Sequence, residues 1–253
     1  MALDSLDQIL QTFDPITLQQ MDGVKLQDRL DTKFMFREDL LIPVLREMQK
    51  YYYALDINGK RYNHYETLYY DTPGFDLYLR HHNGRVNRYK FRARKYVESN
   101  LAFFEVKFKN SKGRTIKDRI KRPDIFKEIT DSSFDLVKNL SNVDPKSLEA
   151  KLWVNYRRMT FVSKISEERL TIDTKLTFID DHHTVEQKGL VIAEVKQGSS
   201  KDKSPFVTLM RKYGVHQKSI SKYCLAVISL NKTIKQNNFK PTLIYLNKLL
   251  KAS

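Results

Sequence analysis

RYKFRARKY, residues 88–96, sets a cation at every second position: Arg88, Lys90, Arg92 and Arg94 alternate with Tyr89, Phe91 and Ala93. Side chains alternate across a strand, so this spacing predicts a strand, over RVNRYKFRARKY (85–96), with positive charge on one face and apolar groups on the other. Like charges in a row repel, and something must offset them. The neighbouring stretches show how far the pattern extends. LAFFEVKFK (101–109) puts Glu105, Lys107 and Lys109 on one parity and Phe104, Val106 and Phe108 on the other. RTIKDRIKR (114–122) sets Lys117, Arg119 and Lys121 against Ile116 and Ile120. The joints VESN and NSKG are turn-prone, which predicts a three-strand antiparallel meander.

The same division recurs later in the chain. ERLTIDTKLTF (168–178) gives Arg169, Thr171, Asp173 and Lys175 against Leu170, Ile172 and Leu176. GLVIAEVKQ (189–197) gives Glu194 and Lys196 against Val195. A solvated face of an open sheet accounts for one such strand. It accounts poorly for five, because exposed strands usually mix both signs across neighbouring positions. A closed sheet answers better. Its apolar face packs outward on helices, and its charged face lines a lumen that holds a counter-charge. The expected fold is therefore α+β: a closed antiparallel barrel of about eight strands forming a charged tunnel, with helices packed on the outside.

Other elements fill in around this core. KLQDRLDTKFMF (25–36), ALDI (54–57), YNHYETLYYD (62–71) and NYRRMTFVSKI (155–165) read as strands, with NGK a turn between the second and third. Helical spacing predicts helices over 4–13, over 37–52 with Pro43 early in it, and within 71–84. Residues 123–153 lose the alternation, and FKEI, SFDLVKNL and SLEAKLW suit short helices. Stretches 204–214 and 219–231 each open with a serine suited to capping a helix, and LIYLNKLL marks a last one. No repeat, low-complexity run or long linker interrupts the pattern. One domain over 1–253 is expected, its core spanning roughly 25–230.

The balance of 45 Lys and Arg against 30 Asp and Glu gives a formal net charge of +15. That excess implies a polyanionic partner. Cys224 is the single cysteine, so no intramolecular disulfide forms. The start MALDSLDQIL has no basic region followed by an apolar run, and no apolar stretch approaches the ~20 residues of a membrane helix. A soluble cytoplasmic protein is expected. Nucleic acid is not, because the aromatics alternate onto the face opposite the cations, whereas single-strand binders interleave the two.

Few acids share the charged face. Glu105 and Glu194 each lead an EVK triplet, two residues before a lysine. A carboxylate in a phosphate site repels its ligand unless a divalent cation bridges them. Glu194 is thus the metal candidate and Glu105 a second, with a salt bridge to a neighbouring arginine as the other reading. His64 and the pairs His81–His82 and His182–His183 are poor metal ligands, since adjacent histidines on a strand point opposite ways. Trp153 and Tyr51–Tyr53 read as packing residues, Cys224 as buried and inert, and Lys248 and Lys251 as a solvated helix face.

RLDTKF (29–34), ETLYYDTPGFDLY (66–78), KFRAR (90–94), FFEVKFK with KGRTIKDRI (103–120), NYRRMTF (155–161), ERLTIDTKL (168–176), VIAEVKQ (191–197) and SISKY (219–223) together resemble, in order, the VTC domain. This is the polyphosphate polymerase domain of the vacuolar transporter chaperone complex, also found alone in bacteria, within the triphosphate tunnel metalloenzymes. The resemblance implies transfer of the γ-phosphate of ATP to growing polyphosphate with Mn²⁺ or Mg²⁺. It implies catalytic roles for Arg92, Arg94, Lys107, Arg158 and Arg169. It implies phosphate binding by Arg29, Lys33, Lys117, Arg119, Lys196, Lys218, Ser221 and Lys222, and metal binding by Glu194. The chain has RLDTKF where many relatives in the wider group carry ExExK, which favours the polymerase over the hydrolase branch. Neither the regulatory SPX domain of fungal members nor a membrane segment is expected, so translocation of product would need a separate membrane protein. Two rivals remain. One is a triphosphatase acting on tripolyphosphate or nucleoside triphosphates in the same tunnel, and the other a non-catalytic polyphosphate-binding module.

Overall fold

The computed structural model describes residues 5–22, 29–198 and 204–251, with the side chains of Asp22 and Arg29 left out. The expected strand over 25–28 lies outside the described residues. In chain order the elements begin with α1 (Leu6–Gln11), β1 (Asp14–Ile16), α2 (Leu18–Asp22), β2 (Arg29–Arg37), α3 (Leu41–Met48) and β3 (Tyr52–Leu55). They continue with β4 (Asn63–Asp71), α4 (Asp76–His82), β5 (Arg88–Tyr96), β6 (Leu101–Lys109), β7 (Thr115–Arg122) and α5 (Asp131–Leu140). Then come β8 (Glu149–Ser163), β9 (Glu168–Ile179), β10 (Thr184–Glu186) and β11 (Leu190–Gly198). Three helices close the chain: α6 (Pro205–Lys212), α7 (Lys222–Leu230) and α8 (Lys240–Lys251).

The strands pair in the order β2-β11-β9-β8-β4-β5-β6-β7, every ladder on this path antiparallel. The β5–β6–β7 meander is as the alternation predicts, with Arg92 opposite Glu105 and Glu105 opposite Arg119. The sheet curls, as sheets of twisted strands do. Lys107 on β6 lies within electrostatic reach of Glu194 on β11 and Lys33 on β2, so strands near opposite ends of the order come close across a lumen. Among the described residues no ladder joins β2 to β7. The outer edge of β2 is met instead by the segment before α7: Phe34 bridges Gln217, and Lys218 N–H donates to the Lys33 carbonyl at 2.8 Å.

Helices cover the apolar outer face on two sides. α1, α3 and α6 bury Leu10, Leu45, Met48 and Phe206 against Phe34, Phe36, Phe161 and Val195. α5 places Val137 over Phe91, Phe104 and Val106. α7 departs from the expected arrangement of helices on the outside. Its residues Tyr223 to Ile228 are all buried, in one cluster with Met35, Tyr69, Val154, Tyr156 and Ile192. Tyr69 and Tyr156 sit at lumen-facing register positions, Tyr69 opposite Arg92 and Tyr156 opposite Tyr65. KYCLAVISL is apolar nearly all round, and such a helix needs cover on every side. The apolar end of the curled sheet supplies it, so α7 packs into that end of the lumen.

Two local expectations fail. SLEAKLW is not helical, because β8 starts at Glu149 and Leu152 pairs with Tyr69. Helix-favouring Glu, Ala, Lys and Leu yield there to a tertiary ladder, since propensity is a weak prior. FKEI (126–129) is irregular. No helix among the described residues is long and apolar enough to cross a membrane.

Candidate functional site

The inward face of β5 carries Lys90, Arg92 and Arg94, each abreast of a group on the next strand. Lys90 lies opposite Lys107, and Lys107 opposite Lys117, so three lysines run side by side across β5, β6 and β7. Like charges abreast destabilise a sheet, and burial adds to the cost. Burial, together with Arg92 and Lys90, pushes the Lys107 ammonium down to about 7. Burial pushes Lys117 down to about 8, partly opposed by Glu105. Lys90 is also lowered, first by burial, and its ammonium donates to Ser221 Oγ at 2.9 Å.

Two buried carboxylates fasten the arginines. Glu105 is 0 % exposed; Arg92 Nε donates to it at 2.5 Å, and the Lys117 ammonium meets its other oxygen. Burial pushes Glu105 up, but Arg92, Arg94 and Lys117 outweigh it and hold the carboxyl well below the usual range. Asp173 on β9 does the same for Arg158 and Lys222. Arg158 donates to both its oxygens, at 2.5 and 2.8 Å, and the Lys222 ammonium stands 2.5 Å away. This forked pairing fixes the guanidinium plane. Because Lys222 begins α7, Asp173 also ties the N-terminus of that helix to the lumen wall. Ser221 caps the helix by accepting from Cys224 N–H at 3.3 Å.

Glu194 is held more loosely. Lys33 lies 3.7 Å and Lys196 3.9 Å from one carboxylate oxygen, ion pairs beyond hydrogen-bond length. Burial raises this carboxyl, and Lys196, Lys33, Lys222 and Arg158 together drive it below the ordinary range, so it is ionised near neutral pH.

The structure therefore brings Lys33, Arg92, Arg94, Lys107, Lys117, Arg158, Lys196, Ser221, Lys222 and Glu194 to one lumen. The other residues named from sequence make different contacts, though Arg169 lies opposite Lys196 and Arg119 opposite Glu105 in register. Arg169 donates to the Met21 carbonyl at 3.0 Å. Arg119 is exposed and lies over the Phe103 ring at 4.5 Å. Lys218 lies over Tyr245 of α8 at 4.7 Å. Arg29 opens β2 opposite Gly198, and its side chain lies outside the described ones. Glu105 does not suit a metal, because both its oxygens are engaged by cations and no surface is open; here the salt-bridge reading holds. Among the described residues, no three His, Cys, Asp or Glu side chains form a metal-holding group. The paired histidines form none either, though His81 Nδ1 lies 3.0 Å from the buried Cys224 Sγ.

Asp173 was not singled out from sequence. The signal was its parity with Arg169 and Thr171, the same argument that selected the EVK acids. The separation of aromatics from cations also fails in part. Phe91 and Phe104 face outward, but Tyr65, Tyr69 and Tyr156 share the lumen face, and Arg158 lies about as close to Tyr65 (5.0 Å) as to Tyr156 (5.1 Å).

The family model of the VTC domain matches residues 28–231. No curated protein matches the chain. Among solved structures, a candidate adenylate cyclase from Bacillus halodurans superposes with a TM-score of 0.51 at 11% identity, covering 77% of this chain and 94% of that one. A candidate adenylyl cyclase from Hippeastrum, described as having a dominant triphosphatase activity, gives a TM-score of 0.51 at 14% identity, over 82% of this chain and 99% of that one. Both similarities concern the fold.

Proposed function

The chain belongs to the VTC domain family of the triphosphate tunnel superfamily, and from that premise we propose that it is a polyphosphate polymerase. It moves the γ-phosphate of ATP onto the end of a polyphosphate chain inside the basic tunnel. The observation that carries this reading is Lys107. It stands between Lys90 and Lys117, its ammonium lowered to about 7, with no ion-pair partner within 4.0 Å among the described residues. A row of like-charged lysines lining a lumen in that condition is stabilised by an elongated polyanion threading past it.

Phosphoryl transfer asks the protein for positioning and charge stabilisation more than for covalent chemistry. Arg92 and Arg94 present planar forks to phosphate oxygens, and Glu105 holds the Arg92 fork from behind. Lys90, Lys107 and Lys117 add point charges along one wall, and Lys33 faces them across the lumen. No general base is assigned, because a terminal phosphate is already largely ionised near neutral pH. Glu194 fits a divalent ion of the Mg²⁺ or Mn²⁺ kind. It is ionised, it is not bound by short hydrogen bonds, and such ions commonly need one or two carboxylates beside the substrate phosphates. When bound, the ion neutralises charge on phosphate oxygens.

The test uses purified protein with ATP and Mn²⁺, the products resolved on a gel stained for polyphosphate. Chains longer than the substrate are expected. Free phosphate without chains makes the protein a triphosphatase, the activity described for the Hippeastrum protein. Tight tripolyphosphate binding without turnover makes it a binding module.

A titration follows from the lysines. Lys107 near 7 and Lys117 near 8 lie below the ordinary value of 10.5. A bound polyanion favours their charged forms, so tripolyphosphate binding at pH 8 is expected to take up protons and to weaken as pH rises. Calorimetry in buffers of different ionisation heat measures the uptake, which is expected to shrink in Lys107→Met. In the ligand-free protein the sign is opposite. Between about 7 and 10.5 the unfolded chain binds more protons at these lysines, so they make stability rise with pH through that window.

A further inference from the structure

Tyr69 lies on β4 directly opposite Arg92, on the lumen face, and is 6 % exposed. Its hydroxyl accepts from Arg92 at 3.3 Å. A phenol both accepts and donates, whereas arginine and lysine only donate. The cations Arg92, Arg94 and Lys90 act most strongly on the Tyr69 phenol. Among the described residues its hydroxyl accepts from Arg92, and no hydrogen bond runs from its own hydrogen to an acceptor. A buried donor left in that state costs stability, and the cost is recovered when an acceptor arrives.

The ring cannot swing away to find one. It stacks on Tyr223 of α7, with centroids 4.9 Å apart and planes 25° apart. Tyr223 in turn donates to Asp71 at 2.5 Å. Asp71 is fully buried and also accepts the Leu77 and Tyr78 N–H groups at 2.9 Å. The hydroxyl is thus held at one point beside the arginine row by a chain of contacts running into α4 and α7.

We infer that the Tyr69 hydroxyl is a phosphate ligand of the tunnel, donating a hydrogen bond to an oxygen of the phosphate gripped by Arg92. The inference rests on the tunnel being a polyphosphate site. Its chemistry differs from that of the surrounding cations. A neutral donor adds a directional bond to the anion without adding to the repulsion among Lys90, Arg92 and Arg94. Burial raises the phenol's pKa, but those three cations lower it overall, which makes it a stronger donor.

The experiment compares the whole protein with Tyr69→Phe, which keeps the ring and its stack on Tyr223. Tripolyphosphate affinity is measured by calorimetry, beside thermal melting and the ultraviolet difference spectrum that the ligand induces in the tyrosines. The variant is expected to bind about tenfold more weakly or worse, with an unchanged or raised melting temperature and a reduced tyrosine difference signal. Affinity within about twofold of wild type overturns the inference and leaves the tunnel reading intact. Equal weakening that tracks a lowered melting temperature, with the difference signal retained, assigns Tyr69 to packing and overturns it too. Failure of the wild-type protein to bind tripolyphosphate at all overturns both readings.

Discussion

Arg92→Ala is expected to slow phosphate transfer by about 10²-fold or more and to lower stability by about 3–5 kcal/mol. The two losses have separate causes. On the proposed reading the rate falls because a planar fork for phosphate oxygens is removed from the lumen, where one such donor is worth that much. Stability falls because Glu105, 0 % exposed, loses its 2.5 Å partner and keeps only the Lys117 ammonium in contact. Arg92→Lys separates them. A lysine restores charge beside Glu105 but not the forked geometry, so most stability returns while most of the rate loss persists. Steady-state rates and denaturant melts on the two variants give the comparison. Near-wild-type activity in Arg92→Ala would remove this residue from the transfer step.

Glu194→Gln is expected to abolish the stimulation of turnover by Mn²⁺ or Mg²⁺, a loss of about 10²-fold or more by analogy with other single electrostatic groups. Tripolyphosphate binding should move the other way. Losing a carboxylate near Lys33 and Lys196 leaves those cations less compensated, so metal-free binding of a polyanion tightens or holds. Opposite signs in the two measurements distinguish a metal ligand from a residue that merely supports the fold. A variant that responds to metal as the wild type does would sink the assignment.

How much of this was legible in the sequence varies by element. RYKFRARKY reads as a strand because its period of two is unbroken from Arg88 to Arg94, and the observed β5 begins at Arg88, three residues after the expected start. β6 and β7 follow for the same reason. SLEAKLW misleads because the residues that begin β8 favour helices in isolation, and only pairing with β4 makes them a strand. α7 misleads differently. Its helical character is plain in KYCLAVISL, but a sequence cannot show which apolar surface a fully apolar helix will cover.

The candidate site divides along the same line. Parity alone places Lys90, Arg92, Arg94, Lys107 and Lys117 on one face, because side-chain direction along a strand is a local property fixed by backbone geometry. The net charge of +15 by itself raises the expectation of an anionic partner. What parity cannot supply is which strand lies beside which, since register across a sheet joins residues far apart in the chain. Tertiary structure alone pairs Arg158 with Asp173, Lys222 with the same carboxylate, and Lys90 with Ser221 some 131 positions away. It alone separates the two EVK glutamates: Glu105 is buried between Arg92 and Lys117, whereas Glu194 keeps its oxygens clear of short hydrogen bonds. The two triplets are identical in sequence. Their chemistry differs because burial and charge environment are set by neighbours that the fold, and not the local sequence, brings to them.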